Sequence, residues 1–204
     1  MGEFDKGEAR MTEKFWESFW RICQLELHDL SLSNLVLGIL CVAVVVHCAA
    51  IIYVKVKHKT IQFSTELLII LLISYMVFIA EASIFSRTVG SQPRVFDTKH
   101  LWIDAKVDQN MTNLLNAVMF VPYGALISGV MERRKASYRV VMTVMYCFLT
   151  SLFVECVQYT TGRGYFEIDD LEANVLGGVL GSVFVCLCTA IGKMIDRKKT
   201  AYEK

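Results

Sequence analysis

The chain has 204 residues, 54% of them hydrophobic and 20% charged, with two prolines and a formal net charge of +1. A soluble domain averages roughly 45–50% apolar residues on a slightly different count, and here the excess gathers in five nearly uncharged windows: 35–54, 67–85, 114–131, 140–159 and 175–195. Each matches the roughly 20 helical residues that cross a bilayer core about 30 Å thick, so a soluble core is excluded, as is a β-barrel, whose alternating pattern is absent.

The expected fold is an all-α integral membrane bundle of about five transmembrane helices, preceded by an N-terminal amphipathic interfacial helix. In residues 1–34, Phe15, Trp16, Phe19, Trp20, Cys23, Leu27 and Leu30 recur at helical spacing opposite Glu13, Glu17, Arg21 and Gln24. Such a helix suits the headgroup boundary or a covering position on the bundle. No secretory signal is read, and the first span should remain in the mature protein. That span and the basic loop behind it, with Lys55, Lys57 and Lys59, make up residues 35–66. The other four spans occupy residues 67–198, and 199–204 form a basic tail.

Lys and Arg also collect after the third span, at Arg133, Arg134, Lys135 and Arg139, and at the end of the chain, at Lys193, Arg197, Lys198, Lys199 and Lys204. These segments alternate correctly to share one face, which the bias of Lys and Arg makes cytoplasmic. Residues 86–110 and 160–172 should then lie outside, together with the N-terminus.

Polar groups inside spans are costly, so their positions are informative. In the fourth span Ser151, Glu155 and Gln158 share one helical face. Arg163 follows closely enough to fold back over that face and keep Glu155 ionised. Asn116 and Asn174 add amides at nearly the same depth. Gly124 and Ser128 in the third span, and Gly177 and Gly181 in the fifth, have the small-x-x-x-small spacing of close helix packing, and Pro122 should kink the third helix. Asp169 can cap the fifth span with Glu172 three residues on. That leaves Glu167, Asp170 and Arg163 to converge with Glu155 and Gln158 in a polar cup at the outer surface. The seven cysteines lack zinc-type spacing, and no metal, cofactor or nucleic-acid motif is read.

Arg87 in FSRTVGSQPRVF, then NLLNAVMFVPYG, SLFVECVQ and GRGYFEIDDLEANVLGGVLG, occur in an order that resembles the VanZ-like family of bacterial membrane proteins. The resemblance runs from about residue 67 to 192. It departs at Tyr123, where phenylalanine is common, at Glu167, where aspartate is common, and at VFDTKHLW in the first outer loop. The family's best-known member is associated with resistance to the glycopeptide teicoplanin, so the resemblance implies a multi-pass protein of the bacterial cell membrane with a role at the envelope.

The ligand-binding candidates are Arg87, Asn116, Glu155, Gln158, Arg163, Glu167, Asp169, Asp170 and Asn174. Three functions compete. One is a binding protein that holds a membrane lipid or lipid-linked wall precursor, or lowers glycopeptide access. A second is a membrane-embedded hydrolase or acyltransferase, with Glu155 or Asp170 as general base and Arg163 steadying an anion; the scattered histidines weigh against it. A third is a structural or assembly subunit, whose glycine faces would meet a second copy or a partner helix.

Overall fold

Helices occupy the apolar windows, and each begins a few residues before its window, because a helix's first turn carries polar residues that a hydropathy window leaves out. The computed structural model describes residues 13–24, 30–57, 62–99 and 107–202. Residues 1–12, Leu27, Lys59 and Lys204 of the sequence expectations lie outside these. Helix α1 covers residues 13–24. It is followed by α2 (Leu32–Lys57), α3 (Phe63–Ala80), a π-helical turn (Glu81–Phe85), α4 (Val107–Val130), α5 (Ala136–Thr161) and α6 (Ile168–Tyr202). Two short strands, β1 (Phe96–Asp97) and β2 (Phe166–Glu167), pair in parallel between the loops at one end. Among the described residues, five helices are long and apolar enough to span a membrane. Helix α6 continues through residue 199, so the basic tail begins as helix.

The burial pattern is that of a protein solvated by lipid. Large apolar side chains such as Val141, Phe153, Phe184 and Leu187 face outward, while Asn113, Ser128, Thr143, Ser151, Glu155, Asp169 and Ser182 are buried. Lipid is as apolar as leucine, so close packing and interhelical hydrogen bonds hold such a bundle together. Here Tyr75 donates to the Met119 carbonyl at 2.7 Å, joining α3 to α4. The Tyr123 and Thr150 hydroxyls meet at 2.9 Å, joining α4 to α5. Between them lies an apolar cluster that includes Ile79, Phe120, Ile127 and Val154.

Helices α4 and α6 make the tightest contact, as their small-residue spacing predicts. A Cβ on Gly177 would collide with the Ala117 carbonyl, one on Gly181 with the Val121 carbonyl, and one on Gly124 with the Gly178 carbonyl. Pro122 lies inside α4, which remains continuous, and removes the N–H that would have bonded the Val118 carbonyl. Among the described residues α2 has none buried, and it packs on α3, where a Cβ on Gly38 would come within 2.8 Å of Val77.

Opposite ends of the bundle carry opposite character. At the basic end, the turn after α4 holds Arg133 and Arg134, and Arg133 bonds Gln62 at the start of α3. At the acidic end, the segment after α3 lies against the segment after α5.

Candidate functional site at the acidic end

The site begins with the way α5 stops. Gly162 takes φ 64° and ψ 32°, a left-handed conformation that glycine adopts without strain. The N–H of Arg163 then reaches back to the Gln158 carbonyl at 2.9 Å and that of Gly162 to Tyr159 at 3.3 Å, which is the Schellman pattern of helix termination. The carbonyls left over are taken by the segment after α3. Gly90 N–H bonds Thr161 at 3.0 Å and Gln92 N–H bonds Gly162 at 2.9 Å, while Arg94 donates to Thr160 at 3.1 Å. Phe96 and Phe166 stack across the two strands with ring centres 4.5 Å apart. The reversed chain thereby delivers Glu167 and the start of α6 onto the Glu155 face of α5.

Glu155 is 2% exposed, and its Oε2 accepts the backbone N–H of Glu167 at 3.0 Å. A carboxylate from one span thus fixes the residue that leads into the next. One turn on, Gln158 donates to the Ser83 carbonyl in the π-helical turn at 2.8 Å. Such turns carry an unpaired register and recur at functional sites. On α6, Asn174 donates to Ser151 at 2.9 Å. Asp169 accepts from Asn113 of α4 at 3.1 Å. Helix α6 begins at Ile168, so Asp169 and Asp170 both lie in its first turn, where the helix dipole favours negative charge. The position read as a cap is therefore inside the helix.

Arg87 adds positive charge near Glu155, Glu167 and Asp170. Its Nη1 lies 3.1 Å from where a Cβ on Gly164 would be, beside the Gln158 amide, so the glycine leaves room for the guanidinium. Glu167, just outside the spans, has its carboxyl pushed above the usual range by burial and by the charges of Asp169 and Asp97, with Arg87 and Lys99 opposing. Arg163 does not fold back on Glu155 as expected. Its guanidinium lies over the Phe85 ring, 5.7 Å from the centre, and its buried Nε has no hydrogen-bond partner among the described residues. The Schellman turn sends the chain away from the face that continuing the helix would have reached.

Beside this cluster opens a cavity of about 300 Å³ between α1, α3 and α4, lined by Cys23, Phe78, Ser83, Arg87, Asn116 and Pro122 among others. Arg87 and Ser83 belong to both the cavity and the cluster, so the two are continuous. Asn116 faces the cavity rather than the buried acids. In α1, Ile22 is buried while Trp16 and Trp20 are exposed, so one face of this helix covers the bundle. Asn113 and Ser83 escaped the sequence reading. Asn113 precedes Ala117 by one turn on the face that meets α6, so the small-residue stripe extended backward leads to it; Ser83 acts through its carbonyl and carries no sequence signal. Among the described residues no three side chains of His, Cys, Asp or Glu are grouped to hold a metal ion.

Comparison with curated proteins and with solved structures found no match to either. The VanZ/LLP1 family model matches residues 35–189, which takes in α2 as well as the motifs quoted from 67 onward. With five candidate spans and a match over most of its length, the chain is a multi-pass membrane protein and belongs to the VanZ/LLP1 family.

Proposed function

We propose that this protein binds an amphiphile, a membrane lipid or a lipid-linked wall precursor, with its head at Arg87 and its apolar part in the cavity beside α1. The observation that carries this reading is the continuity of an apolar cavity with a charged polar cluster through Arg87 and Ser83. A guanidinium presents a planar fork of donors suited to a phosphate, and the acids and amides behind it suit a head rich in hydroxyl or ammonium donors. The excess of Lys and Arg at the other end supports placing this site outside the cytoplasm. An influence on teicoplanin-type glycopeptides would then run through the bound wall precursor or lipid.

The test is native mass spectrometry of the full chain in mild detergent, comparing retained lipids for wild type, Arg87→Gln and Ala82→Leu. A lost charge-assisted hydrogen bond weakens binding by roughly tenfold or more, so Arg87→Gln should strip the retained amphiphile. Ala82→Leu should do the same by narrowing the cavity. Retention of the same lipids in equal amount by all three proteins would refute the binding reading.

A further inference from the structure

We infer that the basic end of the bundle holds a second binding site, separate from the amphiphile cavity, for an anionic phospholipid of the leaflet on that side. The basis is a groove of about 590 Å³ between α2, α3, the turn after α4, and α5, lined by Gln62, Thr65, Arg133, Arg134, Tyr138 and Tyr146 among others. Its size lies within the roughly 300–1,000 Å³ range of small-molecule sites.

Its chemistry changes with depth. At the mouth, Arg133 Nη2 donates to Gln62 Oε1 at 2.9 Å, which holds this guanidinium at the rim, with no further partner for it among the described residues. Arg134 lies over the Tyr138 ring, 5.8 Å from its centre. Glu132 also lines the mouth, so the two arginines outweigh one acid. Lys57 follows Tyr53, another lining residue, by four positions on the same face of α2. Gln62 provides no side-chain cap for α3, so the positive end of that helix adds to the field.

Below the mouth the lining becomes apolar. Tyr138, Met142 and Tyr146 descend one face of α5, covering about 12 Å at 1.5 Å per residue, with Leu68 and Gly129 opposite. The groove therefore offers a phosphate position between arginines and an acyl-chain path running into the hydrocarbon. Basic pockets between spanning helices bind acidic headgroups in this way. Free phosphate would use only the mouth and leave the apolar length unexplained.

The experiment reconstitutes the full chain in vesicles of phosphatidylcholine with added phosphatidylglycerol, extracts it in mild detergent, and counts bound lipids by native mass spectrometry. Wild type should retain phosphatidylglycerol over phosphatidylcholine, and Arg133→Gln/Arg134→Gln should lower retention by about tenfold or more, several-fold for each cation. Gly129→Leu tests the groove without changing charge: a Cβ there is in ordinary contact with Leu68, at 3.6 Å, and the longer side chain extends into the path. It too should lose the lipid. Met142→Trp serves as a second filling variant, and all are read on monodisperse protein. Wild-type retention by both filling variants would reduce the effect to diffuse surface charge and overturn the site, as would displacement of the lipid by millimolar inorganic phosphate.

Discussion

Glu155 ties two elements together at the acidic end. Its carboxylate lies inside a span, is 2% exposed, and receives the backbone N–H that starts the approach to α6. The burial of a charge is offset only while a cation and hydrogen bonds face it; removing one partner of such an arrangement costs about 3–5 kcal/mol when burial is deep. Arg87 adds positive charge near Glu155 and lies beside Gln158, one turn further along α5. Glu155→Gln and Arg87→Gln should each lower the thermal stability of the detergent-solubilised protein, and the double variant should fall short of their sum by about 0.5–3 kcal/mol. Arg163→Gln should combine additively with Glu155→Gln, since its guanidinium is spent on the Phe85 ring, a contact worth roughly 0.5–2 kcal/mol. Additivity for Arg87 and coupling for Arg163 would reverse the pairing drawn from the structure.

At the scale of elements, the contact between α4 and α6 decides whether the polar cluster assembles, because Asp169 and Asn174 come from α6 and Asn113 from α4. Gly177 and Gly181 admit no side chain without moving the opposing carbonyls, whereas Gly192 on the same helix has open space around it. Gly177→Leu should therefore destabilise the bundle by about 1–3 kcal/mol or more, as overpacking does. Gly192→Ala should be neutral or slightly stabilising, since alanine is the better helix former by about 1 kcal/mol. Melting temperatures in one detergent compare the two, and an equal effect would mean that α4 and α6 are not held backbone to backbone. This contact was legible in the sequence because small residues four apart have one structural meaning inside a span. Glu155, Gln158 and Ser151 were legible for the same reason, since helical spacing alone puts them on one face. The partner of Glu155 was not legible. Arg87 and Arg163 both sit in irregular segments next to span ends, and the left-handed Gly162 turn, with the loop after α3 laid against it, decides that Arg163 turns to the Phe85 ring while Arg87 lies beside Gln158.

For the whole molecule, the remaining question is which end faces which compartment, and both proposed sites take their biological meaning from the answer. The Lys and Arg bias predicts that the turn of Arg133 and Arg134 lies inside and the paired loops of β1 and β2 outside. That bias acts through short loops, which describes the turn between α4 and α5 and the segment of residues 162–167. The structure adds that the segments after α3 and α5 are joined by backbone hydrogen bonds from Gly90 to Thr161 and from Gln92 to Gly162. They must therefore lie on the same side, and one reporter in each gives a redundant reading. Ser91 and Thr160 are exposed at this end and Glu132 at the other. With the seven native cysteines replaced, a cysteine at Ser91 or Thr160 should react with a membrane-impermeant maleimide on intact cells. A cysteine at Glu132 should react only after permeabilisation. The opposite pattern at all three positions would invert the protein, turn the Arg87 cavity toward the cytoplasm, and remove the route from that site to wall precursors outside. Labelling of Ser91 and Thr160 from different sides would contradict the fold itself, because the hydrogen bonds that terminate α5 could not then form.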